Sequence, residues 1–281
     1  MIEFPHVSPG ALVAPVLSWL NVQHHDFFVG VADASNSLIL AIVHGLSFTP
    51  PYVTVAVLSL LTLVISGWRG ALVCAGGLAL CVSLGLWDAT VQTIAVIVLA
   101  VIFSVLLGVP LGVLMSKNER LKIAARPCLD IMQTLPPWVY LVPAVILFGL
   151  GVVPALLSTI IYGIPPMIRL TILAMSQIPE NRIELGRAIG ATRREIFWKI
   201  ELPSAMPTLL LGINQCVLFS LGMVVLAGLV GAGGLGAEVT RGLSRMEFGL
   251  GMRASLAIVI LAIVLDRVFR NAIPKRFLTL A

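Results

Sequence analysis

Residues 89–115 read ATVQTIAVIVLAVIFSVLLGVPLGVLM, a stretch without a charged side chain in which Thr90, Gln92, Thr93 and Ser104 are the polar interruptions. A bilayer core of about 30 Å is crossed by roughly 20 apolar residues in a helix. The stretch exceeds that length and reads as a membrane span. The same ruler picks out apolar runs at 51–66, 70–87, 136–150, 152–175, 205–230 and 252–270. The 136–150 run is short, and the chain from Pro127 extends it as a buried helix. These seven runs predict an all-α polytopic membrane protein. Residues 27–47, FFVGVADASNSLILAIVHGLS, are mixed and weakly amphipathic, which predicts a helix lying along the membrane interface.

Composition agrees. Of 281 residues, 59% are hydrophobic and 11% charged, against about 25% charged in soluble domains. That leaves too little polar surface for a cytosolic enzyme or a nucleic-acid binder. The basic excess (18 Lys and Arg against 13 Asp and Glu, formally +5) is sorted along the chain. Residues 1–50 hold no Lys or Arg, so there is no basic n-region of a signal peptide. Arg69 stands alone, Lys117, Arg120, Lys122 and Arg126 fill one loop, and Arg182, Arg187, Arg193, Arg194 and Lys199 fill another. Arg267, Arg270, Lys275 and Arg276 end the chain, so fourteen of the eighteen fall on one side of a seven-span path. Cytoplasmic loops concentrate Lys and Arg. The expected topology therefore has an extracytoplasmic N-terminus and a cytoplasmic C-terminus. Arg241, Arg245 and Arg253 break the pattern, and Glu238 and Glu247 beside them suggest internal pairing.

Familiar chemistry is missing. The four histidines precede residue 45 and form no HExxH, no GxSxG elbow occurs, and no Lys follows a Gly, which excludes a P-loop. No metal site is expected. Cys74, Cys81 and Cys216 sit in apolar runs as small hydrophobes. Ionisable groups at the midplane mark coupled carriers. Here Asp88, Asp130 and Asp266 lie near span ends, so the energy for any transport has to arrive from elsewhere. Prolines and glycines sit within the runs: Gly108, Pro110, Gly112, Pro143, Pro165, Pro166, Pro207 and Gly212. Each proline removes a helix hydrogen bond, and small residues allow close helix approach.

The longest basic loop, 177–203, carries internal order. Pro179 suits a helix start, with Glu180 and Glu184 complementing the dipole. Leu185 and Ile189 share a face at i,i+4, and Gly190 interrupts the helix. Thr192-Arg193-Arg194-Glu195 has capping-box spacing and restarts a helix carrying Ile196 and Ile200 on one face, closed by Pro203. Two capped short helices joined at a glycine make a rigid docking knob.

Glu184-Leu185-Gly186, Gly190 and Ile200-x-Leu202-Pro203 resemble the EAA loop of ABC importer permeases, with Leu185 and Gly186 departing from its two alanines. The flanking LDIMQTLPPWVYLVPAVILFGLG, GIPPMIRLTILAMSQIP, ELPSAMPTLLLGINQ and VGAGGLG look like the permease subunits that import glycine betaine and proline betaine. The resemblance runs from about 88 to 270. It implies a type I ABC importer transmembrane domain of about seven spans plus the N-terminal interfacial helix. On that pattern 1–50 is an extracytoplasmic segment, 51–87 holds peripheral transmembrane helices, 88–270 is the permease core with its coupling loop 177–203, and 271–281 is a cytoplasmic tail. The implied setting is a bacterial inner membrane. The implied partners are a second permease copy, two cytoplasmic ATPase subunits that hold ATP and Mg, and an extracytoplasmic substrate-binding protein. No cofactor is expected on this chain.

Carried across, Glu184, Leu185, Gly186, Gly190, Ile200, Leu202 and Pro203 form the coupling helix and its support, and Arg187, Arg193 and Arg194 meet an acidic rim of the ATPase. Pathway candidates are the polar and aromatic residues of the apolar second half: Gln133, Thr134, Trp138, Tyr140, Asn214 and Gln215. A quaternary ammonium donates no hydrogen bond and is favoured by aromatic faces, which singles out Trp138 and Tyr140. Helix–helix hydrogen bonding or an interfacial belt explains the same residues without a substrate. Choline, carnitine, trimethylamine N-oxide or an amino acid would suit the same machine. A self-contained carrier or membrane enzyme is the distant alternative.

Overall fold

A computed structural model describes residues 9–271, so the first eight residues and the tail with Lys275 and Arg276 lie outside the described residues. Among the described residues every regular element is helical. In order they are α1 (Pro9–Gln23), α2 (His25–Ser47), α3 (Pro51–Ser83), α4 (Trp87–Lys117), α5 (Glu119–Thr134), a 3₁₀ turn (Pro137–Tyr140), α6 (Leu141–Phe148) and α7 (Val152–Ser176). Then come α8 (Glu180–Ala188), α9 (Arg193–Ile196), a π turn (Phe197–Glu201), α10 (Leu202–Ala227), a 3₁₀ turn (Gly228–Val230), α11 (Gly234–Ser244) and α12 (Phe248–Asn271). Among the described residues, six helices are long and apolar enough to cross a membrane. The stretches Glu119–Thr134 and Pro137–Phe148, bent by 108° where they meet, supply a seventh if taken as one broken span.

The expected extension of 136–150 from Pro127 as a buried helix fails, since the chain bends by 108° between α5 and Pro137 and Leu129 is the one buried residue of α5. The runs 51–66 and 70–87 belong to α3, which breaks at Gly67 (φ 75°, ψ −179°). Its limbs lie side by side there, Ser59, Leu60 and Leu63 of the first lining one groove with Ala71, Leu72 and Ala75 of the second. Residues 27–47, expected to lie along the interface, form a single helix. α2 has 23 residues with mean hydropathy 1.6, enough to span, and its Val31, Ala34 and Leu38 share a cleft with Phe103 and Leu107 of α4 and Leu157 and Ile161 of α7. It packs against the bundle along this cleft. The Ser37 hydroxyl donates to its own helix at the Asp33 carbonyl, 2.7 Å away.

The core is the trio α4, α7 and α10. Between apolar helices in lipid, association rests on close van der Waals packing and a few hydrogen bonds, and the α4–α7 seam is built that way. The helices run parallel: a Cβ on Gly163 would lie 2.7 Å from the Ser104 Oγ, one on Gly108 2.8 Å from the Met167 Cβ, and one on Gly112 2.5 Å from the Thr171 Cβ. The Ser104 hydroxyl donates across the seam to the Ile160 carbonyl at 3.1 Å. α10 runs antiparallel to α7, with Gly212 against Met167 and Leu170 and the Cys216 thiol donating to the Gly163 carbonyl at 3.2 Å. α12 lies along the second limb of α3, from Cys81 beside Ala257 to Ser66 beside Val268.

The polar interruptions of 89–115 anchor the fold. Gln92 Oε1 accepts from the Gly234 amide at 2.8 Å and Thr93 Oγ1 from the Leu235 amide at 2.9 Å, satisfying two orphan donors at the start of α11. At that end of the bundle Arg241 grips Glu238 through one nitrogen at 2.8 and 2.9 Å, and Arg253 donates to the Gly249 and Leu84 carbonyls. The expected pairing with a neighbouring acid holds for Arg241, while Arg253 is held by backbone carbonyls.

Candidate functional site

The basic loops converge at the opposite end of the bundle. α8 ends as its sequence dictates: the Gly190 amide donates to the Arg187 carbonyl and the Ala191 amide to the Gly186 carbonyl, both at 3.0 Å. That pair of reversed bonds is a Schellman cap, which requires its C′ residue in the left-handed region. Gly190 occupies that position at φ 77° with nothing near its missing Cβ. Thr192 then opens α9 with both halves of the capping box: its hydroxyl accepts from the Glu195 amide, and the Glu195 carboxylate accepts from the Thr192 amide at 3.0 Å. The Thr192 amide and hydroxyl together with Lys199, 3.2 Å away, hold the Glu195 carboxyl at about 2, charged throughout the physiological range.

Gly186 explains the departure from the two-alanine pattern. It is buried, and a Cβ there would stand 2.7 Å from the Ile200 Cδ1 and 3.2 Å from the Ile196 Cγ1. α8 therefore presses directly on the Ile196–Ile200 face, Ile196 being 5% exposed. On the outside of the same hairpin Leu185 is 65% and Ile189 75% exposed. Glu184, Arg187, Arg193 and Arg194 are exposed as well. The loop thus has an inner apolar face that locks it together and an outer face, apolar and cationic, left open.

Its fastening to the bundle went unread in the sequence. Lys117, the last residue of α4, reaches the Glu201 carboxylate at 3.0 Å, and its Nζ stands 4.9 Å from the centre of the Phe197 ring. Glu201 and Phe197 bound the π turn that carries α9 into α10, and π turns recur at functional junctions. Thr208 donates to Gln177 at 3.1 Å, so the end of α7 is tied to the start of α10. Ile200, Leu202 and Pro203 are half-buried in this junction, and Pro203, expected to close the second short helix, sits instead in the first turn of α10, into which α9 and the π turn run without a break. Lys117 counted in the sequence only as topology; the signal for its contact was the i,i+4 pair Phe197 and Glu201.

The pathway candidates do not form one cluster. Asn214 is 7% exposed and donates to Asp266 at 3.0 Å, tying α10 to α12, while its neighbour Gln215 is exposed on the other side of α10. Gln133 and Thr134 end α5 at the 108° break, where Thr134 donates to the Ile131 carbonyl at 3.0 Å. Trp138 is 59% exposed, whereas Tyr140 turns inward and its hydroxyl donates to the Met132 carbonyl across the break. The Tyr140 ring meets Tyr162 of α7 at 5.8 Å, and Tyr162 meets Phe219 of α10 at 4.9 Å. Neither partner ring stood out in the sequence.

Residues 100–275 match the family described as binding-protein-dependent transport system inner membrane component, which covers more than half the chain and includes the whole loop. The chain belongs to this family. The permease is 38% identical to the glycine betaine transport system permease protein OpuAB of Bacillus subtilis, over 98% of each chain. It is 39% identical to the glycine betaine/proline betaine permease protein ProW of Escherichia coli over 89% of this chain and 71% of that one. The glycine betaine/carnitine permease protein GbuB of Listeria monocytogenes is 33% identical, with 92% and 95% covered. Among solved structures, an inward-facing MetNI methionine ABC transporter matches with a TM-score of 0.57 at 26% identity, covering 65% of this permease and 93% of that chain. The permease is thus a multi-pass inner-membrane transport subunit of the type I ABC importer fold.

Proposed function

We propose that this permease is the membrane-spanning subunit of an ATP-driven importer for a quaternary-ammonium compatible solute such as glycine betaine or proline betaine. The observation that carries the reading is the 38% identity, end to end, with a glycine betaine permease. Two copies form the pathway, and an extracytoplasmic binding protein delivers the ligand. Two ATPase subunits bind ATP and Mg at the basic end, which faces the cytoplasm; the N-terminus is extracytoplasmic. The chain itself is not an enzyme and holds no cofactor.

The outer face of the 177–203 loop suits the docking. Leu185 and Ile189 fill a groove in the ATPase, and Arg187, Arg193 and Arg194 meet its acidic rim. Gly186, Ile196 and Ile200 keep the knob rigid, so that closure of the ATPases moves it as one piece. The junction of Lys117 with Glu201 and Phe197 passes that motion to α4 and α10, and the core rocks between two rigid-body arrangements.

The test is reconstitution of the permease with its ATPase and binding protein in liposomes. Uptake of radiolabelled glycine betaine is expected only with ATP on the loop side. Competition by choline, carnitine, trimethylamine N-oxide and proline ranks the alternatives; uptake of a neutral amino acid with none of glycine betaine defeats the betaine reading. A membrane-impermeant thiol label on Cys introduced in the 177–203 loop should react from the ATPase side alone.

A further inference from the structure

We infer that Tyr140, Tyr162 and Phe219 form a row of aromatic faces along which the trimethylammonium group of the solute passes. The inference rests on the betaine reading above and specifies where that cation is held inside the membrane.

The first support is the break between α5 and α6. Its depth is fixed by the Ser158 hydroxyl, which donates to the Tyr140 carbonyl at 3.1 Å, and by the Tyr140–Tyr162 ring contact; both partners lie well inside α7. Hydrocarbon offers no hydrogen bonds, so irregular backbone at such a depth occurs only where protein buries it or water lines it. Here Pro136, Trp138 and Val139 are exposed on the protomer. That surface therefore turns toward the aqueous route or the second copy, and lipid does not cover it. Discontinuous helices at mid-membrane mark binding sites in other transporters for the same reason.

The second support is α10. Leu211, Gln215, Leu218 and Gly222 are exposed at i, i+4, i+7 and i+11, a single open face. Phe219 sits at its margin, half-buried and in ring contact with Tyr162. The two ring pairs are tilted at 50° and 60°, so no ring is covered by a stacked neighbour. The Tyr140 hydroxyl, held by the Met132 carbonyl, fixes that ring across the break.

The third support is chemical. α6, α7 and α10 contain no Asp or Glu, so the cation meets no carboxylate on these helices. A quaternary ammonium has no N–H to donate, and π faces attract it without a hydrogen bond. Attraction of that size suits a passage, where binding has to favour entry without preventing exit.

The test uses the reconstituted complex with Phe219 replaced by 4-fluoro-, 3,5-difluoro- and 3,4,5-trifluorophenylalanine, and separately Phe219→Leu. Fluorination drains the π face while leaving ring shape nearly unchanged. Radiolabelled glycine betaine uptake per inserted permease should fall stepwise along the series, by roughly 2- to 30-fold in all, with Leu as low as the trifluoro ring. A flat series overturns the inference, as does a loss with Leu that fluorination fails to reproduce, since that marks packing alone. If the unsubstituted complex takes up no glycine betaine, the functional reading itself fails and takes the inference with it.

Discussion

Gly190 offers the sharpest test of the coupling loop. It closes the Schellman cap at φ 77° with its amide on the Arg187 carbonyl at 3.0 Å and no atom near a would-be Cβ. Space is therefore no obstacle to a side chain; the backbone conformation is. An L-residue in the left-handed region costs about 1–2 kcal/mol, so Gly190→Ala shifts the loop toward an uncapped form by roughly 5- to 30-fold. Asn tolerates that region with less strain, so Gly190→Asn should fall only a few-fold. Gly190→Pro locks φ near −65° and removes the amide, for about 3 kcal/mol or more, a shift on the order of 100-fold. ATP-driven uptake by the reconstituted complex should rank Gly, Asn, Ala, Pro, with equal amounts of each permease inserted in the membrane. Wild-type uptake by the Pro variant, or an Asn variant as inactive as Pro, would refute the reasoning.

Other expectations follow from the same geometry. Leu185→Glu together with Ile189→Glu, both on the open face, should abolish co-purification of the ATPase while changing the melting stability of the permease by no more than about 0.5 kcal/mol. Thr192→Ala removes the hydroxyl half of the capping box and should cost about 1 kcal/mol locally; hydrogen exchange of the α9 amides is expected to speed up roughly 5-fold, and unchanged protection would deny the cap a role. Gly112→Leu drives a side chain into Thr171 and should lower the yield of folded permease in detergent, as an overpacked seam costing about 1–3 kcal/mol; a monodisperse product at wild-type yield would show that the helices can part.

The sequence disclosed the loop almost completely, because its signals are local. A helix-starting proline, a left-handed glycine and a four-residue capping box each act within a few residues, and the structure places all of them where the spacing requires. It disclosed the spans by length, and the break at Gly67 fell between two runs already read as separate. Two kinds of feature stayed hidden. Sequence does not tell which polar residues of α2 are already satisfied: the Ser37 hydroxyl is held by its own backbone. Contacts across the bundle left no local trace either. Tyr162 and Phe219 are 57 residues apart in a chain that pairs their rings at 4.9 Å, and Lys117 finds Glu201 84 residues on. Polar residues in α10 illustrate both sides: Asn214 and Gln215 look equivalent in sequence, yet one is spent on Asp266 and the other stands open.

The glycine seam between α4 and α7 has a mechanical corollary. With Gly108, Gly112 and Gly163 each leaving less than 3 Å for a Cβ, neighbouring side chains such as Met167 and Thr171 are seated in notches one residue wide. Sliding one helix along the other would carry Met167 out of its notch at Gly108. The pair is keyed, like a shaft in its hub. On the proposed coupling, the two helices would move as one body, and a cross-link between Ser104 and Gly163 should have the same length at every stage of the transport cycle.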